Sequence, residues 1–530
     1  MIDSIRIQNI RSLKDTGDVP IKRLNLLVGS NSSGKSTFLR SFLLLAQSAN
    51  KLLRNAIAWF DESLVDFGDY MTTKTKDSAD ESIIVTLRLS DCDFEYPFWR
   101  TILPFPIMDN TKPFMGAYIS IHFTYIQDTK KDYISKVQIT FNNGSEVVFL
   151  LDDKSKKVSV FANSKILPWI NLRWESASSK ELLPEIEFKV ESAKSFNEFQ
   201  QWRKDILLQA LAPLKKDCGK TASHFEKLEE YLEKWRLDKT ECLEEFKKVR
   251  VFSALTRNIS QWEISNTKFN EVYNNILGVF ALCNWFYVST YVSNVFTSCD
   301  YIAPLRAEAN RYYRNVGMQV ERVDSYGRNL AEFIDSLTQK QKQSYDDYIT
   351  NSIKARIQVR NNTGHQSIVI TPKNDNEDSY DSEKPETNLI DTGFGYSQIL
   401  PILTKLWWIQ QRKRFRRGFY NVPSATVLIE QPELHLHPAL QAKLADVFIK
   451  AAINQEAKTN LIIETHSSTI INRIGRRIRE GHIKPEDVNI IYFEKDRKTG
   501  YSKIRSTDYD GNGRIKEWPY GFLEPDDDPF

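Results

Sequence analysis

Eight residues constrain this chain more than any others: Gly29-Ser30-Asn31-Ser32-Ser33-Gly34-Lys35-Ser36 fits G-x-x-x-x-G-K-[ST] at every required position. The run before it, LNLLVG, is continuously apolar and suits a strand covered on both faces. A helical pattern opens at Ser36 and runs to about Leu53. Strand, glycine loop and helix in that order make a phosphate cradle. Small residues let the backbone curl until successive N–H groups converge on phosphate oxygens, and the helix N-terminus adds partial positive charge. Gly29, Ser30, Asn31, Ser32, Ser33 and Gly34 are the expected cradle, with Thr37 just inside the helix. Lys35 is expected to reach the β- and γ-phosphates, and the Ser36 hydroxyl to ligate Mg²⁺. A nucleoside triphosphate is the ligand this loop predicts.

With 530 residues the chain should hold more than one structural unit. Four segments are expected: 1–90 with the phosphate loop, a β-rich platform at 91–190, an inserted helical domain at 191–300, and a C-terminal lobe at 301–530. The platform rests on short strand-like runs such as AYISIHFTYI, KVQITF and KVSVFA. The insert rests on charged helical spacing, as in FEKLEEYLEKW. The polar stretch Pro372–Thr387 reads as an exposed loop. Beyond it, helix and strand patterns alternate: Ser397–Gln411, ATVLIE, Pro438–Asn454, NLIIET, Ser467–Glu480 and VNIIYFE. That alternation predicts a mostly parallel sheet.

Composition excludes several function classes. Lys+Arg 72 against Asp+Glu 69 leaves +3, so any nucleic-acid site must be a local patch. The densest basic run is Arg412–Arg417, with Arg473, Arg476, Arg477 and Arg479 further on. Phosphate contact and a solvated helix end explain it equally well. Five scattered cysteines without a Cys-x-x-Cys pair argue for a reducing, cytoplasmic setting. The opening MIDSIRIQNIRSL lacks the apolar core of a signal peptide. Val272–Cys299 carries no charge and is long enough to cross a bilayer, but Asn274, Asn275, Asn284 and Asn294 would be costly there. A buried helix running into a strand is expected, with no membrane attachment.

Val427-Leu428-Ile429-Glu430 reads as a buried strand ending in an acid, where a Mg²⁺-organising carboxylate belongs. It continues as Gln431-Pro432-Glu433-Leu434-His435-Leu436-His437-Pro438. A second strand ends in Glu464-Thr465-His466-Ser467. Polar tips on neighbouring strands would face the phosphates.

With GSNSSGKST, IEQPELHLHP and ETHSS in place, the sequence resembles the ABC-type ATPase heads of the SMC and OLD class, AAA-family ATPases of prokaryotic antiphage defence. DTGFGYSQILPI (Asp391–Ile402) is similar to that group's signature segment, and YIAPLRAEANRYY and WPYGF to one subgroup. The nearest resemblance is to the Septu-type ATPases (the PtuA group), which accompany an HNH nuclease or a retron. It implies an α/β fold, a P-loop ATPase head with an antiparallel β platform and an inserted helical domain. It also implies ATP and Mg²⁺ as cofactors, with Lys35 and Ser36 as the Walker A residues, Glu430 on the metal and His466 sensing the γ-phosphate. Gly393, Gly395, Ser397 and Gln398 would contact the nucleotide of the opposite subunit in a homodimer or higher homo-oligomer, with His435 and His437 at that interface. An HNH-type nuclease partner is implied, and contact with DNA, RNA or a retron RNA/DNA hybrid is compatible with it.

One departure matters. Where ABC ATPases place a glutamate that orients the attacking water, this chain has Gln431. Loss of a positioned general base costs typically about 10²–10⁴-fold. Glu433 is the candidate substitute; otherwise turnover is slow, which suits a sensor or clamp. OLD nucleases add a Toprim domain after the head, and too few residues follow Phe493 for one, so no nuclease centre is expected here. Asp508-Tyr509-Asp510-Gly511-Asn512-Gly513 begins like an EF-hand loop, but Pro519 stands at its twelfth position, and a hairpin turn is expected instead. The competing function class is a DNA-repair or chromosome-maintenance ATPase acting directly on DNA. The short helical insert counts against its long coiled-coil arms.

Overall fold

The computed structural model describes residues 2–49, 51–78, 80–89, 114–175, 181–188, 205–206, 208–218, 236–248, 250, 253–315, 317, 319–372, 386–415, 425–455 and 459–517. The side chains of the Arg412–Arg417 run, FEKLEEYLEKW, most of Pro372–Thr387, the closing WPYGF and the acidic tail after it lie outside the described residues. The chain divides into two interleaved units, the first made of 1–9, 48–58 and 77–294, the second of 10–47, 59–76 and 295–530.

The second unit is built on a six-stranded sheet. Its order is Cys299–Ile302, Thr426–Glu430, Asn460–Glu464, Leu24–Gly29, Val488–Lys495 and Ser502–Thr507, and only the last strand is antiparallel. The LNLLVG, TVLIE and NLIIE strands are buried at every residue, as expected for parallel strands with both faces covered. Helices Lys35–Ala49, Phe394–Phe415, Pro438–Ile453 and Ser468–Arg479 alternate with them in the chain. The apolar faces of the last three join one core with the strands, through residues such as Leu403, Trp407, Phe448 and Ile474.

A smaller sheet in the same unit pairs Ala355–Asn362 with His365–Pro372, preceded by helix Gln339–Ile353, whose N-terminus carries a Thr338–Gln341 capping box.

The DYDGNGRI segment forms a turn closed by a Tyr509–Ile515 bridge, and Asp510 Oδ1 accepts the N–H groups of Asn512 and Arg514. It packs on helix Ser468–Arg479 backbone to backbone. A Cβ at Gly513 would lie 1.8 Å from the Gly475 carbonyl oxygen, and Gly513 also has φ +72. Gly513→Ala should therefore cost roughly 2–4 kcal/mol from left-handed backbone and overpacking together. Gly511→Ala, which meets open space, should stay within about 0.5 kcal/mol. Urea denaturation of both variants is the check, and equal midpoints would contradict the packing described.

The first unit carries an antiparallel sheet in the order Glu185–Phe188, Leu172–Glu175, Lys157–Ala162, Glu146–Leu151, Lys131–Thr140, Tyr118–Ile126, Ile83–Leu89 and Ile2–Ile10. Helix Thr267–Cys283 lies so close to it that a Cβ at Gly278 would meet Leu167 Cδ1 at 2.2 Å. Asn274 and Asn275 of the uncharged stretch bond inside the unit. Asn274 Oδ1 accepts from Asn163, and Asn275 bonds both the Trp169 indole and the Ala210 carbonyl. No single described helix is long and apolar enough to cross a membrane, and the break at Asn284 bends Thr267–Cys283 from Trp285–Thr297 by 51°. The expected buried helix is thus two helices, followed by the Cys299–Ile302 strand. The fold class is the expected one: α/β, with an antiparallel platform, a helical segment and a mostly parallel sheet bearing the phosphate loop.

Candidate functional site

The phosphate-loop strand sits where strand order reverses, with Asn460–Glu464 on one side and Val488–Lys495 on the other. Ligands of open α/β sheets bind at such a switch point, outside the carboxyl ends of the strands. Register aligns those ends: Glu430 pairs with Glu464, Glu464 with Leu27, and Gly29 with Phe493. Gly29 leaves the sheet at φ +141, and a Cβ there would fall 2.1 Å from the Phe493 carbonyl oxygen, so only glycine fits. Ser30, Asn31 and Ser32 are exposed along the loop, Ser33 is buried, and Gly34, Ser36 and Thr37 are half-buried.

Lys35 is only 3% exposed. Its Nζ donates to the Gly29 and Ser30 carbonyls at 3.0 and 2.7 Å, bracing the curled loop. Burial lowers its pKa and the nearby Glu464 carboxylate opposes that. The Ser36 hydroxyl donates to Glu464 Oε1 at 2.9 Å. Two buried oxygens here, Ser33 Oγ and Glu464 Oε2, have no hydrogen-bond partner among the described residues. Burial, then the charge of Glu430, raises the Glu464 pKa. A serine hydroxyl beside an unsatisfied carboxylate oxygen is a hard-oxygen set that fits Mg²⁺, and the loop with Lys35 fits phosphates.

Glu430 is 2% exposed and fully engaged. Arg40 Nε and Nη2 donate to its two oxygens at 2.8 and 2.7 Å, and Tyr301 OH donates to Oε1 at 2.9 Å. The hydrogen bond to Glu430 raises the Arg40 pKa, while burial raises that of Tyr301.

Gln431 turns the chain at φ +43, with its N–H on the Glu464 carbonyl at 2.8 Å. Glu433 then reaches across to the neighbouring strand end. Its Oε2 accepts the Thr465 hydroxyl at 2.8 Å and its Oε1 the His466 N–H at 2.7 Å. Burial raises the Glu433 pKa against those bonds. His466 is exposed at the strand end, and partial desolvation with Lys35 nearby lowers its pKa.

Arg306 ties this turn to the signature-like segment. Buried, and lowered to about 10 by that burial, it donates to Gln398 Oε1 at 3.1 Å and to the Gln431 carbonyl at 3.2 Å. Gln398 and Ser397 are therefore turned into their own subunit, Ser397 Oγ donating to the Phe394 carbonyl. At the same helix start, Gly393 borders open space and Phe394 is exposed. The His435 ring lies 6.0 Å from Phe394. His437 caps helix Pro438–Ile453, its Nδ1 accepting from the Ala439 N–H. Of the basic patch, Arg473 and Arg477 are both bonded to Asp446 and Arg476 to Glu480.

Three residues of this cluster were not singled out from sequence, Arg40, Tyr301 and Arg306; Glu464 was read as a polar strand tip, without its bond to Ser36. Arg40 carried a signal, since four residues after Ser36 puts it on the same helix face.

A family model described as an AAA ATPase domain matches residues 1–471, and one described as a protein of unknown function (DUF3696) matches residues 483–527. No curated protein matches the sequence. Among solved structures, the Smc head domain with an extended coiled coil bound to the C-terminal domain of ScpA, from Pyrococcus furiosus, is 12% identical, covering 96% of each chain at a TM-score of 0.33. The SMC head domain from Thermotoga maritima is 8% identical, over 95% of this chain and 98% of that one, at the same TM-score.

Proposed function

The chain belongs to the AAA ATPase domain family, and from that premise we propose that it is a slow, ATP-hydrolysing switch that holds and regulates a nuclease partner. The observation that carries slowness is the fate of the two candidate bases. Gln431 is an amide, and both oxygens of Glu433 are committed to Thr465 and His466. Each Glu433 oxygen already accepts a bond that fixes the carboxylate to the neighbouring strand end, so only its remaining lone pairs are left to orient water. ATP would lie over the loop, its phosphates meeting the loop N–H groups, Lys35 and the helix N-terminus. Mg²⁺, held at the Ser36 end, would neutralise charge on the phosphates. His466, exposed at the adjacent strand tip, would sense the terminal phosphate.

Two subunits facing each other across Gly393, Phe394 and His435 would let ATP favour assembly, because a ligand that binds the assembled state better shifts the population toward it. The nuclease partner, of HNH type and in antiphage defence, follows the Septu-type resemblance. Arg473 and Arg477 are both tied to Asp446, and guanidinium groups held in this way favour a protein partner over direct gripping of DNA by that patch. The test is purification of the tagged chain, expressed with its flanking genes, in ATP and Mg²⁺, with turnover measured on the product. Stoichiometric nuclease and a kcat at least about 100-fold below the common ~10 s⁻¹ are expected. A lone protein that turns over at that common rate would sink the proposal.

A further inference from the structure

We propose that Arg306 is a positioning residue for hydrolysis, a bridge that fixes the Gln431 turn to the start of helix Phe394–Phe415. The inference rests on the ATP reading above and adds a residue to it. Strand Cys299–Ile302 runs parallel to Thr426–Glu430, with Ile302 opposite Ile429, so both chains leave the sheet at the same edge. Just past that edge, Arg306 spans the gap with its planar fork. Nε donates to Gln398 Oε1 at 3.1 Å, Nη2 to the Gln431 carbonyl at 3.2 Å and Nη1 to the Ala303 carbonyl at 3.4 Å. The Gln398 amide nitrogen turns back on the Arg306 carbonyl at 3.5 Å. The compact ammonium of a lysine lacks the rigid fork that holds both elements at once.

The second observation is the burial of the charge. Arg306 is 5% exposed, and the three acceptors it reaches are neutral. A guanidinium taken out of water against neutral groups weakens a fold. Leu305, the residue before it, is 70% exposed, so the loop inverts the usual placement of apolar and charged side chains. Stability explains neither choice, and local rules broken in this way mark functional sites. What the bridge holds is the turn on which both candidate bases stand. Gln431 gives its N–H to the Glu464 carbonyl and offers its own carbonyl to Arg306, and Glu433 follows in the same turn. The Glu433 carboxylate supports the Arg306 charge through space. Misplacing a group that orients the attacking water by about 1 Å lowers the rate by about 100-fold. Arg306 touches no phosphate-loop residue through its three bonds, so its role falls on turnover and not on binding.

The test compares Arg306→Gln, Arg306→Lys and Gln398→Met with the wild type in the full chain. Phosphate release gives kcat and KM, and calorimetry gives affinity for the non-hydrolysable analogue AMP-PNP. Arg306→Gln should lower kcat by about 10- to 100-fold, with KM and AMP-PNP affinity within about threefold. Arg306→Lys should not restore kcat; wild-type turnover there means that charge alone suffices, and overturns the bridge. Gln398→Met removes the acceptor at the far end and should match Arg306→Gln, while the double variant loses no more than either single one. Unchanged kcat in Arg306→Gln, additive losses in the double variant, or AMP-PNP affinity that falls in step with kcat overturns the positioning role. If circular dichroism shows Arg306→Gln unfolded, Gln398→Met decides by the same split of kcat against affinity. A wild-type chain that binds no AMP-PNP, or releases no phosphate from ATP, overturns the ATP reading itself, and this inference with it.

Discussion

Gln431→Glu should raise kcat for ATP hydrolysis by about 10²–10⁴-fold, the range that a positioned general base supplies. The exchange replaces an amide nitrogen by oxygen and alters no volume. Its backbone is already fixed, by the N–H on the Glu464 carbonyl, the carbonyl under Arg306 and the left-handed turn at φ +43. The side chain is half-buried rather than packed away, so the new carboxylate has room for a water. Phosphate release at saturating ATP and Mg²⁺ is the measurement. A variant no faster than the wild type would mean that another group activates water, and Glu433 would have to leave Thr465 and His466 to do it.

Lys35→Ala should weaken ATP binding by about 100-fold or more, equivalent to roughly 3 kcal/mol for a charged donor with its phosphate partners. The loss has two sources. The ammonium is the one cation of the loop, and its bonds to the Gly29 and Ser30 carbonyls also brace the curl that points the N–H groups. Lys35→Arg should not rescue, because a planar guanidinium cannot occupy a pocket cut for a point charge at 3% exposure. Calorimetric titration with AMP-PNP, beside circular dichroism to verify folding, separates affinity from stability. Retention of affinity within about tenfold would remove Lys35 from the phosphate site.

The sheet was readable from the sequence because its strands are continuous apolar runs. LNLLVG is the strand Leu24–Gly29 residue for residue, and TVLIE and NLIIE match within one residue. Helices with caps were legible for the same kind of reason: Pro at the first helical position marks Pro438, and Ser467 caps the helix that follows it. What did not show is pairing across the sheet. Strand order 299–426–460–24–488 puts Glu464, and not Glu430, next to the loop, and no local pattern encodes that order.

Arg306 is a plain cation in a loop until the fold buries it between Gln398 and the Gln431 carbonyl. The signature-like Ser397 and Gln398 read as groups offered to another subunit, yet tertiary contacts turn both inward. Helix Gln339–Ile353 and its hairpin also escaped. QKQKQSYDDYITNSI is polar on most positions and shows only a thin apolar stripe at Tyr345, Ile349 and Ile353.

The central place of the Leu24–Gly29 strand has a cost during synthesis. It leaves the ribosome long before its two sheet neighbours, which begin only at Asn460 and Val488. At translation speeds of about 5–20 residues per second, that strand waits roughly 20–90 seconds for its first neighbour. Leu26, Leu27 and Val28, each fully buried in the finished sheet, are apolar surface on the nascent chain for that whole interval. A holding chaperone that engages the Leu24–Gly29 strand would therefore govern how much working protein each message yields.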